Sequence, residues 1–203
     1  MKMTPHTLLM VFLLSFVFHT PTLSETLMLK PPEHNLFNGS LYATCRMRPN
    51  NQLASEMPRV YGHVLFKQTG PGESLRVMFK LYGLPASNSQ YRAIHIHQYG
   101  DLSEGCTSTG GHYNPGGVDH PLHPGDFGNF IARNGKIRRS VDSKATLYGE
   151  LSVLGRAVVI HEKKDDMGRG GDEGSLLHGN AGGRLACCVI GISSNKFWNK
   201  SYH

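Results

Sequence analysis

Apolar and polar positions in this chain alternate over short stretches and rarely recur at the spacing of a helix face. Tyr91 to Tyr99 (YRAIHIHQY) is the clearest case. An extended strand puts Ile94 and Ile96 on one face and His95 and His97 on the other. Leu41 to Met47, Val60 to Phe66, Leu75 to Tyr82, Arg156 to His161 and Leu185 to Ile192 are further short apolar runs. Asn129 to Arg133 and Lys136 to Val141 flank Asn134-Gly135. That dipeptide marks a tight hairpin, because both central residues must adopt positive φ. Eight short strands with no 3.6-residue periodicity predict an all-β fold. The expected architecture is an eight-stranded antiparallel Greek-key sandwich or flattened barrel. Two long connections stand out, Gly100 to Gly128 and Glu162 to Arg184. Stretches of this length without their own secondary structure are usually functional.

The ends read differently from the middle. Leu8 to Phe18 (LLMVFLLSFVF) follows Lys2, and Thr22 and Ser24 are small residues suited to cleavage after Ser24. This is the pattern of a secretory signal peptide over residues 1–24. Its apolar run is shorter than the roughly 20 residues that span a bilayer. The expected organisation is an extension over 25–40, one domain over 41–193 and a short tail over 194–203. A secreted chain with no membrane partner is expected.

The formal net charge is +6. The cations are dispersed along the sequence, the densest group being Lys136, Arg138 and Arg139. The tail contributes only Lys196 and Lys200. No polybasic arm is present, so no nucleic-acid partner is expected. Four cysteines, Cys45, Cys106, Cys187 and Cys188, favour disulfides in a secreted protein. A bond between the adjacent Cys187 and Cys188 would close a strained ring. Two pairings remain, each joining the C-terminal pair to Cys45 and Cys106. Asn38-Gly-Ser and Asn199-Lys-Ser are glycosylation sequons, Asn38 being the better placed.

The chemistry lies in the histidines. His95 and His97 share a strand face, and His161 follows the apolar run VVI, at a strand end. Several neutral imidazoles around one ion suit copper. In the first long connection, His112, His120, His123 and Asp126 provide three imidazoles and a carboxylate. Those four fill a tetrahedral zinc set with no open position, which favours a structural ion. Spacing alone does not say whether the two groups share a ligand.

The segments Ala93-Ile94-His95-Ile96-His97, Gly111-His112-Tyr113-Asn114-Pro115, Gly125-Asp126-Phe127-Gly128-Asn129, His161-Glu162-Lys163 and Gly179 to Cys187 resemble the copper/zinc superoxide dismutase family. The similarity runs from about Leu41 to Ser193. Cys187-Cys188, the leader and the short His120-Pro-Leu-His123 spacing resemble its secreted, extracellular branch. The resemblance implies an enzyme that dismutes superoxide to dioxygen and hydrogen peroxide, with copper and zinc as cofactors. It implies copper on His95, His97, His112 and His161, and zinc on His112, His120, His123 and Asp126. His112 would bridge the two metals and carry a proton in turnover. Asp165 would join ligands of both sites, Arg184 would hold the substrate anion, and the disulfides would be Cys106–Cys187 and Cys45–Cys188. A homo-oligomer, dimer or tetramer, is also implied.

The chain departs from the family pattern in three places. Gly111 stands where proline is frequent. Gly174, Leu176, Leu177 and His178 replace part of a charged segment that shapes the field over the channel. The basic matrix-binding tail is missing, so heparin binding is not expected of it. The alternative reading is a secreted copper/zinc-binding domain with little or no turnover.

Overall fold

The computed structural model describes residues 32–86 and 90–200. The expected signal peptide and the first residues of the extension lie outside the described residues. Nine strands form: β1 (Leu41–Pro49), β2 (Tyr61–Gln68), β3 (Leu75–Tyr82), β4 (Tyr91–His97), β5 (Asp126–Ile131), β6 (Lys136–Ser143), β7 (Ala157–His161), β8 (Arg184–Val189) and β9 (Gly191–Ile192). Three short α-helices, α1 (Pro32–Leu36), α2 (Glu173–His178) and α3 (Lys196–Asn199), and one 3-10 turn at Thr107–Thr109 accompany them. Their order across the sheet is β5-β4-β7-β8-β1-β2-β3-β6, with β9 added to β1. Every pairing of named strands is antiparallel. The result is an eight-stranded, nearly closed antiparallel barrel with β9 as a short appendage.

Phe66, Phe79, Met47, Ile94, Ile96, Ile137, Ile160 and Leu185 fill the barrel and are fully buried. The Asn134-Gly135 turn forms as expected, with φ of 50° and 72°. Its flanking strands then part: only Arg133 and Lys136 pair across it, while β5 joins β4 and β6 joins β3. The turn therefore sits at the barrel seam. The run from Leu185 to Ile192 also divides. Ile190 turns aside to bond Arg156 and Gly155, and the chain resumes as β9 beside β1.

Cys187 and Cys188 illustrate strand alternation. Cys188 points into the barrel and bonds Cys45, while Cys187 points outward and bonds Cys106 in the first long connection. Outside the barrel, Tyr42, Leu65, Met78 and Trp198 form a small second cluster with Phe37. The sequence between α1 and β1 supplies Phe37, and α3 supplies Trp198. Residues flanking the family-like region thus pack on the outer face of β1, β2 and β3.

Candidate metal centre

Strand β4 carries His95 and His97 opposite Ile94 and Ile96, and all four are buried. The histidine face is buried because the two long connections fold over it. The first docks along β4 like a partial strand: His112 bridges His97, Gln98 N–H donates to Gly111 O, and Tyr113 N–H donates to Ile96 O. The second leaves β7 at His161 and returns into β8 at Arg184. All six candidate histidines and Asp126 come together.

Hydrogen bonding fixes which ring nitrogens are open. His97 Nδ1 donates to Gly110 O at 2.9 Å and His161 Nδ1 to Gly182 O at 3.3 Å. Their Nε2 atoms then face each other at 3.1 Å, each carrying a lone pair. His95 Nε2 donates to Asp165 Oδ2 at 2.9 Å, leaving Nδ1 buried without a partner. His112 Nε2 is likewise buried and unpartnered. The ligand atoms of His95, His97, His112 and His161 lie within 4.8 Å of one another. Four converging lone pairs without a donor need a cation, since unsatisfied buried polar atoms are otherwise costly.

A second set gathers on Asp126. His112 Nδ1 lies 3.1 Å from Asp126 Oδ1. His120 Nδ1 and His123 Nδ1 lie 2.8 and 3.0 Å from Asp126 Oδ2. Neither of the latter two aligns as a hydrogen bond, so both nitrogens stay unsatisfied. Their Nε2 atoms are already engaged, by Asp165 Oδ1 at 2.8 Å and Val118 O at 2.9 Å. By distance alone His95 also falls within 4.8 Å of the His112, His120 and Asp126 ligand atoms. The approach of His123 Nδ1 to Asp126 makes His123 the better fourth member, because His95 is one of the four converging on the first position. His112 offers one nitrogen to each set.

The charges follow from this packing. Burial, then the neighbouring histidines, drives His97 well below its usual pKa, and burial and His95 do the same for His161. Burial lowers His112 to about 4 despite its bond to Asp126. For His120, burial opposes the charge, but Asp126 and Asp165 outweigh it and raise the pKa to about 9. Burial works against ionised Asp126 and Asp165 too. Their histidine hydrogen bonds nevertheless hold both well below the usual carboxylate range.

Asp165 has no exposed surface and links His95 to His120. Asn129 clamps its backbone, donating from Nδ2 to Asp165 O and accepting from Asp165 N, each at 2.8 Å. Gly179, at φ 65°, closes over the same carboxylate; a Cβ there would collide with Asp165 Oδ1.

Arg184 is held by the segment that Cys106 tethers. Nη1 donates to Cys106 O (2.7 Å), Thr107 O (3.1 Å) and Thr109 Oγ1 (2.9 Å), and Nη2 donates to Gly110 O (2.7 Å). Asn50 braces this arrangement, accepting from Cys106 N and donating to Arg184 O. A cavity of about 660 Å³ opens above the first histidine set, lined by His97, His112, His161 and Arg184, with Leu176, Leu177 and His178 at one side. Sequence reading assigned no role to Asn129, Thr109 or Asn50. The only available signal was their place beside quoted motifs, Asn129 ending Gly-Asp-Phe-Gly-Asn and Thr109 three residues after Cys106.

Comparison with known proteins places these residues in context. The family model for copper/zinc superoxide dismutase (SODC) matches residues 60–190. The chain is 53% identical over 160 residues to the mouse protein named extracellular superoxide dismutase [Cu-Zn], covering 78% of this chain and 64% of that protein. It is 51% identical over 165 residues to the human protein of that name, covering 80% of this chain and 69% of that one. It is 45% identical over 140 residues to superoxide dismutase [Cu-Zn] A of Xenopus laevis, covering 66% and 90%. The matched region thus spans just under two thirds of the mouse and rat proteins.

Proposed function

Because the chain belongs to the copper/zinc superoxide dismutase family, we propose that it converts two superoxide anions and two protons into dioxygen and hydrogen peroxide. The observation that carries this reading is the pair of open nitrogen sets meeting at His112. Copper is assigned to His95, His97, His112 and His161, and zinc to His112, His120, His123 and Asp126. When bound, copper supplies a one-electron couple and zinc a fixed positive charge with no redox role.

The chain's own groups do the rest. Arg184 offers a planar, permanently charged donor to a small anion entering the cavity. Its backbone partners keep the guanidinium in place, so little order need be gained when the anion arrives. His112 Nδ1 is fixed beside Asp126, and its Nε2 is positioned to hold a proton and release it toward the bound anion. Asp165 keeps His95 and His120 in the tautomers that leave each Nδ1 open, the usual function of a carboxylate behind metal-binding imidazoles. The loops exclude bulk water from the histidine face.

Secretion is read from the expected leader and is supported by relatives named extracellular, and a glycan is expected on exposed Asn38 in preference to Asn199. The chain is read as a homo-oligomer, dimer or tetramer, a state consistent with exposed Tyr99, Val189 and Ile192. Sedimentation analysis should give a mass above one chain. The decisive experiment measures copper and zinc per chain and superoxide removal before and after chelation. Turnover that disappears with the metals and returns with them is expected. Full loading without turnover would leave a metal-binding protein instead.

A further inference from the structure

The cavity over the first histidine set is far larger than a diatomic anion needs. It encloses about 660 Å³, within the range of small-molecule sites, roughly 300–1,000 Å³. One or two waters, the bulk of such an anion, take up only about 30–60 Å³. Its lining is divided. Arg184, His97 and His161 contribute a polar wall, and Val118, Leu176 and Leu177 contribute an apolar lip. These three apolar side chains belong to residues that are 39%, 43% and 56% exposed. Packing does not account for them, since α2 buries Ser175 and leaves both leucines outside. Single exposed leucines are ordinary, but three apolar side chains from two loops around one cavity are not. The lip is held through its backbone. Val118 O accepts from Asn114 Nδ2 at 2.8 Å, and Val118 N donates to Asn114 Oδ1 at 3.0 Å. Val118 O also accepts from His123 Nε2 at 2.9 Å. Leu176 O accepts from His120 N at 2.8 Å, which ties α2 to the first long connection beside the cavity. On Arg184, the bonds to residues 106–110 leave Nε–H and one Nη2–H for a ligand. Asp119, the one carboxylate among the lining residues, is solvent-exposed.

We propose that this cavity binds an amphiphilic organic monoanion, a carboxylate on a medium-length alkyl chain, and that the bound ligand blocks access to Arg184. The carboxylate pairs with the guanidinium, whose planar fork matches two carboxylate oxygens. The alkyl chain lies on Val118, Leu176 and Leu177, where burying each methylene is worth about fourfold in affinity. Other small occupants fit less well. An inorganic anion engages Arg184 but leaves the lip in water. A neutral apolar molecule covers the lip but gives the guanidinium no counter-charge. The lip is already fixed by its backbone bonds, so little order has to be gained when the ligand settles on it. Binding needs no turnover; its effect on superoxide removal rests on the catalytic reading above.

Calorimetric titration of the full metal-loaded chain with octanoate should give binding at least about tenfold tighter than that of acetate. Octanamide, which keeps the alkyl chain and lacks the charge, should bind at least about tenfold more weakly than octanoate. A double variant, Leu176→Thr with Leu177→Thr, should lose about tenfold in octanoate affinity and keep its acetate affinity within about twofold. The same change at two exposed leucines elsewhere, Leu36→Thr with Leu151→Thr, should leave octanoate affinity within about twofold. In the unaltered chain octanoate should raise the KM for superoxide and leave kcat unchanged. Equal affinities for octanoate and acetate would overturn the proposal, as would equal affinities for octanoate and octanamide. So would equal losses in the two double variants, or octanoate binding that leaves KM where it was. A fall in oligomer mass in the lip variant would also overturn it, making the lip an interface between copies. Should the lip variant fail to fold, Val118→Thr must weaken octanoate binding by itself, or the proposal is overturned. Octanoate binding with the expected preferences in a chain that removes no superoxide would support the site and count against the catalytic reading alone.

Discussion

Two imidazole nitrogens 3.1 Å apart with both lone pairs inward, as in His97 and His161, cannot satisfy each other without a proton or a metal. The histidines packed beside that pair make the metal-free protein sensitive to pH in two directions. His112 has a folded pKa of about 4 against the usual 6.5, so the unfolded chain takes up the proton first. Its contribution to stability is complete above 6.5 and is lost as pH falls from there through 4. His120, raised to about 9, behaves oppositely: its contribution is complete below 6.5 and is lost as pH rises through 9. Calorimetry of metal-free protein should therefore find the unfolding temperature falling on both the acidic and the alkaline side. Zinc uptake at neutral pH should also expel the His120 proton, seen as a binding heat that depends on the buffer's ionisation enthalpy. A second test concerns Thr109, fully buried with its hydroxyl on Arg184. Thr109→Val keeps the volume and removes that bond. Superoxide removal is expected to drop several-fold while the copper and zinc content stays unchanged, and Thr109→Ser should restore it. The converging histidines were readable in the sequence because a pair of histidines on one strand face is uncommon and points to a shared partner. Asn129 and Thr109 were not, because asparagine and threonine are common in turns and their roles arise only when two distant loops meet.

Short elements are where pattern reading loses force. Helices α1, α2 and α3 have four to six residues each, less than two turns, so no apolar stripe can repeat. The strands were legible because a short apolar run, or the two-residue alternation of β4, declares itself within about five positions. Alternation does not reveal neighbours, however, and the Asn134-Gly135 turn predicted a hairpin whose arms in fact separate at the seam. Helix α2 carries a local signal that could have been used: Asp172 caps it, accepting from Ser175 N at 2.9 Å, and Gly179 ends it in the left-handed region. This helix bears on the site, since Leu176 O accepts from His120 N. Gly179→Ala places a methyl group against Asp165 at a backbone angle that alanine resists. It should destabilise the protein by about 2 kcal/mol or more and weaken zinc retention, measured by competition with a chelator, more than copper retention.

On the scale of the whole molecule, the barrel is a frame on which separate surfaces are mounted. The histidine face lies under two loops. The small aromatic cluster joins Phe37, ahead of β1, and Trp198, after β9, to the frame. That cluster is stability, not chemistry. Trp198→Ala removes a large buried ring from Tyr42, Leu65 and Met78 and should cost about 3 kcal/mol in denaturant unfolding, with the metal sites still intact. The cluster was not legible beforehand, because it draws single residues from elements far apart in sequence. The two neighbouring cysteines of β8 divide their labour along the same lines. Cys188 staples strand to strand inside the barrel, and Cys187 staples a loop, and through it the arginine, to the outside. A protein stapled this way can therefore fail in stages when it meets a thiol reductant. On the proposed reading, breaking the outer link would free Arg184, the proposed anion-binding arm, while leaving the frame folded, giving a molecule that would still hold metal but would have lost its grip on substrate.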